Sequence, residues 1–392
     1  MFTLIKKGQV FTPKSHGIMD IFIVGDKIAM VAPEINIPYD IFTDITVLDA
    51  DGLSVTPGFI DQHVHITGGG GEGGPATRTP EIMLSELTTA GVTTVVGLLG
   101  FDAVTRNIPG LLAKARALEA EGITAYIYTG AYQIPARTLT ANVRSDLVLI
   151  DKIIGTGEIA ISDHRSAQPT LAMLVKLAAE TRVGGMLGGK AGIVHLHLGE
   201  GKTGLDLVFQ ALAQSDLPVT QFVPTHLNRK KNLLKQACKF VKMGGTIDLT
   251  AGIEPEKPSP DALNIMESLK LLIEMGISLN SVTASSDGNG SLPQFNDRGE
   301  ITGISIASVK VLWTDIKKAI RAGVVTLEEG IRLITFNAAN TLKLLPAKGI
   351  IAPGSDADLV LLNPDLEIDK VYARGRLMVD NGNAIIRGTF EK

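Results

Sequence analysis

Two hydrophobic patterns alternate through the middle of this chain, whereas its ends carry only one of them. Between residues 57 and 347, short apolar runs fall at 59–65, 93–99, 124–129, 158–162, 193–198, 219–225, 246–250 and 282–286. Most are separated by stretches with apolar residues three and four apart, as at 81–90, 111–121, 171–181 and 231–241. A short apolar run reads as a buried strand and a 3.6-residue period as a helix. Eight strands separated by helices predict a distorted (β/α)8 TIM barrel, an α/β fold.

The ends read differently. Ile21-Phe-Ile-Val24 and Lys27-Ile-Ala-Met-Val31 flank Gly25-Asp26, which is a hairpin signature. Short runs at 45–48, 53–55, 358–362, 371–374 and 376–379 continue in this style, the last followed by the turn Asp380-Asn-Gly. Chain ends often lie close together, so residues 1–56 and 348–392 are expected to join as a small β-sandwich domain beside a barrel at 57–347.

Composition narrows the partners. The chain has 392 residues, 45% hydrophobic and 20% charged, which supplies ample core. Net charge is −4 and no basic stripe occurs, so neither nucleic acid nor an anionic membrane surface is expected as a partner. No apolar run reaches the roughly 18 residues of a spanning helix, and the N-terminus lacks a secretory leader pattern. A cytoplasmic protein acting on a small molecule is the expectation. Cys238 is the sole cysteine, which excludes an internal disulfide and an all-cysteine metal cluster.

The candidate chemistry sits at strand ends. His63 and His65 close the first apolar run, two apart and therefore on one face of a strand. His197, His226 and Asp287 occupy the ends of runs five, six and eight, and Glu158 belongs to run four. In a barrel of this type chemistry gathers at the C-terminal ends of the strands, and imidazoles with carboxylates are ligands for zinc-like cations. His195 shares a face with His197; His197 lies nearer the strand end, and His195 is assigned to the polar layer below. His16 is expected at the surface, while His164 either supports Arg165 or is solvated. Two glycine patterns, at 68–73 and 184–190, lack the partners a nucleotide site requires.

Pro57-Gly-Phe-Ile-Asp-Gln-His63-Val-His65, His197, His226 and Ser286-Asp287-Gly288 resemble the two-metal amidohydrolase superfamily. Gly68-Gly-Gly-Gly-Glu72, Thr129-Gly-Ala-Tyr132, Ser162-Asp-His-Arg165-Ser, Pro224-Thr-His226-Leu-Asn-Arg229 and Ser285-Ser-Asp287-Gly-Asn-Gly-Ser291 narrow the resemblance to isoaspartyl dipeptidases. The resemblance runs from about residue 10 to the C-terminus. It implies a metallo-dipeptidase that hydrolyses the isopeptide bond of β-aspartyl dipeptides with two divalent ions, zinc in that family, as a homo-oligomer of up to eight copies. By this likeness His63, His65 and Asp287 hold one metal, and His197 and His226 the second. A hydroxide held between the metals attacks, Tyr132 supports the carbonyl oxygen, and Asp287 moves the proton. Glu72 would receive the substrate ammonium, Arg165 and Arg229 its carboxylates, and Ser291 a further hydrogen bond.

Two departures stand out. Glu158 occupies the position of the family's carboxylated lysine, with one residue added in Gly155-Thr-Gly157-Glu158. A bulge at Gly157 would let the shorter side chain bridge both metals; otherwise Glu158 misses them and leaves a single-metal or impaired site. Phe101 replaces a small hydroxyl residue, which puts side-chain preference in question. The alternatives are a cyclic-amide hydrolase of dihydroorotase or hydantoinase type, and a non-catalytic barrel subunit.

Overall fold

The structure, a computed structural model, describes residues 2–37, 44–254, 261–295, 298 and 301–392. Five strands come first: β1 (Phe2–Phe11), β2 (Ser15–Val24), β3 (Lys27–Ala32), β4 (Ile45–Asp49) and β5 (Ser54–Pro57). The barrel follows with β6 (Phe59–Val64), β7 (Val92–Gly97), β8 (Thr124–Thr129), β9 (Ile153–Ile161), β10 (Ile193–Leu198), β11 (Phe222–Thr225), β12 (Ile247–Thr250) and β13 (Val282–Ser285). After it come the hairpin β14 (Ser291–Phe295) and β15 (Ile301–Ile306), then β16 (Leu359–Leu362), β17 (Ile368–Ala373), β18 (Arg376–Asp380) and β19 (Asn383–Ala384).

Strands β6 to β11 form one parallel sheet in sequence order, and β12 pairs with β13. A parallel bridge between Val64 and Gly288 brings the chain after β13 back to β6, curling the set into a barrel. Helices cover its outside: α1 (Leu84–Thr88), α2 (Ile108–Glu121), α3 (Val143–Leu149), α4 (Leu171–Gly188), α5 (Asp206–Gln214), α6 (Lys231–Lys242), α7 (Ile265–Glu274), α8 (Val311–Arg321), α9 (Leu327–Leu333) and α10 (Phe336–Thr341). The N-terminal mouth is filled by Ile60, Val96, Tyr128, Ile193 and Val223, packed with Ala338, Ala339 and Leu342 at the α10 end. That apolar plug leaves the C-terminal mouth as the place where polar side chains collect.

The chain ends meet. Strand β16 pairs antiparallel with β5, from Leu359 opposite Pro57 to Leu362 opposite Ser54, and all nine end strands join in one hydrogen-bonded sheet. Asn381 (φ 49°) and Gly382 (φ 73°) make the turn between β18 and β19, where both residues must be left-handed. Two buried links fasten this sheet to the barrel. Lys348 reaches Asp356, Asp358 and the Thr124 hydroxyl, and Trp313 donates to the Leu366 carbonyl at 2.8 Å while its ring packs 5.1 Å from Phe59.

Three details differ from the sequence pattern, each for a packing reason. Strand β9 starts at Ile153, before the expected 158, although glycines weaken strand propensity. Gly155 is needed because a Cβ there would lie 2.8 Å from the Ile193 carbonyl oxygen. Helix α4 continues through Gly184 and Gly185 to Gly188, since a Cβ at Gly184 would press within 2.9 Å of Leu147. The β14–β15 hairpin follows β13 where no strand was foreseen, and Pro293 within it hides the pattern. Among the described residues, no helix is long and apolar enough to cross a membrane.

Opposite Val194–Leu196 of β10, strand β9 spends three steps, Thr156 to Ile159, where its partner spends two. This one-residue bulge turns Glu158 into the barrel. Gly157 makes it feasible, because a Cβ would sit 2.9 Å from His195 Cβ and 3.0 Å from the His195 carbonyl oxygen. Gly157→Ala should therefore cost about 1–3 kcal/mol of stability, measured by denaturant unfolding; an unchanged midpoint would mean the bulge has slack.

Candidate metal centre

Each strand delivers its ligand by a local device. His63 and His65 end β6 and its extension, and their ring centroids lie 5.6 Å apart. His197 ends β10 on the same inward face as His195. His226 (φ 63°) and Asp287 (φ 53°) sit just beyond β11 and β13 in left-handed turns that direct their side chains over the mouth. All five, with Glu158, are buried.

The six groups converge. Glu158 lies 2.9 Å from His63 Nε2, 3.8 Å from His65 Nε2, 2.5 Å from His197 Nδ1 and 3.6 Å from His226 Nε2. Asp287 Oδ1 is 3.2 Å from Nε2 of both His63 and His65. Two overlapping sets of ligand atoms, His63–Glu158–His226 and His63–His65–Asp287, share His63 and are each compact enough for a cation, whereas His197 joins neither set and meets the cluster through Glu158. His63 Nε2, His226 Nε2 and Glu158 Oε2 are buried without an aligned hydrogen-bond partner. Atoms that approach closely without aligning on one another are arranged as ligands aimed at a common centre, and the donor set fits divalent metals.

Electrostatics supports the same reading. Burial opposes charge on Glu158, but His63 and His197 outweigh it and hold the carboxyl well below the usual range. Asp287 is likewise held well below the usual carboxylate range, with burial overcome by the charge on His63 and by hydrogen bonds with His63 and His65. Burial pushes His63 down, yet Glu158 and Asp287 overcome it and raise the ring to about 10. His226 and His195 are held well below the ordinary value, chiefly by burial, and stay neutral. Two buried anions thus demand positive charge, supplied here by a proton on His63 and replaceable by a metal cation.

The layer beneath orients the ligands. His63 Nδ1 donates to the neutral His195 Nε2 at 2.8 Å, and Tyr128 stacks on His195 with centroids 5.1 Å apart. His226 Nδ1 pairs with the Thr250 hydroxyl at 2.7 Å. Asp248 accepts from Gln62, Thr225, Thr283 and Ser285, so that carboxylate is fully hydrogen-bonded below the mouth.

Around the ligands lies a cavity of about 570 Å³. Tyr132 places its hydroxyl 2.9 Å from His197 Nδ1, and burial with Glu158 nearby keeps the phenol protonated. Arg229 reaches Asp287 Oδ2 at 3.2 Å. Arg165 pairs with Glu72 at 3.3 Å, and Ser291 donates to the same Glu72 oxygen at 2.7 Å. The other Glu72 oxygen is buried and, among the described residues, has no hydrogen-bond partner. Phe101 lines the cavity, its ring 6.3 Å from Tyr132. His164 and His16 are exposed.

Two contributors escaped the sequence reading. Arg106 donates to the Thr67 and Thr79 carbonyls at 3.0 and 2.7 Å, bracing the glycine loop that carries Glu72. Asp163 contacts both His197 and Arg165, and its only sequence signal is its place two residues before Arg165.

The chain is similar to several known proteins. Residues 259–378 match the amidohydrolase family. The structure of a beta-aspartyl dipeptidase from Fervidobacterium islandicum AW-1, in complex with beta-Asp-Leu dipeptide, is 43% identical with a TM-score of 0.90, covering 98% of each chain. A dihydroorotase of Pelotomaculum thermopropionicum is 23% identical over 93% of this chain and 90% of its own length. A dihydropyrimidinase from Brevibacillus agri shares the fold at 19% identity and TM-score 0.69, covering 100% of both chains.

His63 gives the metal-free centre a measurable signature. Its folded value of about 10 exceeds the ordinary 6.5, so its contribution to stability is full below about pH 6.5 and is lost as pH rises through 10. Thermal midpoints of chelator-treated protein should fall across that window, and saturating zinc should flatten the fall. A flat metal-free profile would contradict the charge balance described.

Proposed function

This chain belongs to the amidohydrolase family, and on that premise we propose that it hydrolyses the isopeptide bond of β-aspartyl dipeptides using two divalent metals. Four imidazoles with two carboxylates suit zinc, and His63, His65 and Asp287 would hold one ion while His197 and His226 hold the other. Glu158, within reach of imidazoles from both groups, is the residue we assign to both ions. When bound, such a pair supplies Lewis acidity and lowers the pKa of coordinated water.

The observation that carries the substrate choice is a buried oxygen of Glu72 that has no hydrogen-bond partner among the described residues, beside the Arg165 guanidinium in a cavity that Arg229 also lines. A free β-aspartyl dipeptide brings one ammonium and two carboxylates, which match Glu72, Arg165 and Arg229. Dihydroorotate and hydantoins bring no ammonium, and would leave that buried oxygen without the charged donor that an ammonium supplies. Ser291 holds Glu72 in place through its first oxygen. The protonated Tyr132 hydroxyl is suited to donate to the carbonyl oxygen as charge develops there. Ionised Asp287 can take a proton from the attacking water and return it to the departing amine. Phe101 would narrow the choice of substrate side chain from the cavity wall. We place this activity in the cytoplasm and in a homo-oligomer, on the strength of the family likeness.

Purified protein with zinc should cleave β-Asp-Leu and lose that activity to a chelator, with little turnover of dihydroorotate or hydantoin in parallel assays. Turnover of the rings alone would transfer the assignment to a cyclic-amide hydrolase. Glu158→Gln keeps the side-chain size but removes the charge. Metal analysis should then drop from two equivalents to one or fewer, with turnover reduced roughly 100-fold or more; two retained equivalents would show that Glu158 is not shared.

A further inference from the structure

We propose that Asp163 is a positioning residue that splints a metal ligand, His197, to a substrate-binding guanidinium, Arg165, so that the second metal and the substrate are held through one carboxylate. This rests on the dipeptidase reading for the role of Arg165, but not for that of His197.

The sequence builds the splint by a sharp turn and a missing side chain. Strand β9 ends at Ile161, and Ser162 adopts φ 52°, a left-handed conformation rarely taken without glycine. The Ser162 hydroxyl accepts from the Gly204 amide at 2.8 Å, which anchors the turn. The chain therefore folds back over the mouth, and Asp163 is buried, 5% exposed, instead of solvated. It fits only because residue 199 is glycine, since a Cβ there would overlap that carboxylate.

Every strong direction of the carboxylate is used. Oδ1 accepts from the Arg165 amide at 2.7 Å and Nε at 3.1 Å. Oδ2 accepts from Arg165 Nη2 at 2.9 Å and from His197 Nε2 at 2.9 Å. The last contact fixes the His197 tautomer. With its Nε2 proton committed to Asp163, Nδ1 presents a lone pair toward the side where Glu158 lies. A carboxylate behind an imidazole strengthens it as a ligand and locks its ring. Arg165, in turn, is a long side chain only 24% exposed that must be aimed to be useful, and Asp163 fixes two of its donors while Nη1 faces Glu72. The chain Glu158–His197–Asp163–Arg165–Glu72 thus alternates acidic and basic groups from the metal cluster to the substrate cavity.

The test is Asp163→Asn in the full-length protein, read by zinc titration of the chelator-treated chain and by steady-state kinetics on β-Asp-Leu. The second zinc equivalent should bind roughly 10–100-fold more weakly, with the first equivalent unaffected. KM should rise by at least tenfold as Arg165 loses its splint. Unchanged affinity for both zinc equivalents overturns the proposal, as does an equal loss of both. Should the variant be insoluble, Gly199→Ala displaces the same carboxylate without removing charge and must weaken the second equivalent alike; wild-type affinity there also overturns it. If the wild-type protein does not cleave β-Asp-Leu at all, the dipeptidase reading fails while the zinc titration still decides the role of Asp163.

Discussion

A carboxylate buried to 1% exposure among four imidazoles from three strand ends is the constraint on which the barrel mouth depends. Removing an ion from water costs several kcal/mol even after the protein relaxes, so Glu158 is tolerable only with positive charge beside it. The ligand rings cannot all provide it, because burial keeps His226 neutral. The mouth is consequently suited to cations, and the surrounding polar layer holds the imidazoles and carboxylates in place. His195 behind His63, Thr250 behind His226 and Asp163 behind His197 serve three ligands in the same way.

Glycines at close approaches do much of the positioning. Gly157 lets β9 bulge against His195, and Gly199 leaves space for the Asp163 carboxylate. These are not flexible joints. Each marks a place where backbone and a functional side chain approach more closely than a Cβ allows. The bulge at Gly157 brings the short side chain of Glu158 among the imidazoles.

The residues that were legible in the sequence obey simple periodicities. His63 and His65 follow the two-residue strand repeat, and His197, His226 and Asp287 fall at strand ends that the apolar runs mark. The meeting of the chain termini was legible because both ends carry short strand-like runs that flank one long alternating middle. Asp163 was illegible because its importance arises from a left-handed serine and a distant glycine, neither of which has a local periodic signature. Arg106 was hidden because its partners are backbone carbonyls, which any sequence supplies. The β14–β15 hairpin was missed because Pro293 argues against a strand and only an edge pair tolerates it.

The pairing of β5 with β16 also bears on how the chain is made. During synthesis β5 emerges about 300 residues before its partner, and until then its edge and the apolar residues Val55 and Ile21 lack their final cover. Barrel strands β6 to β11, which pair in the order they are translated, have no such delay. A nascent chain stalled before residue 359 would therefore carry an assembled catalytic half and an incomplete, aggregation-prone flank, making chaperone cover at that stage more consequential than at any earlier one.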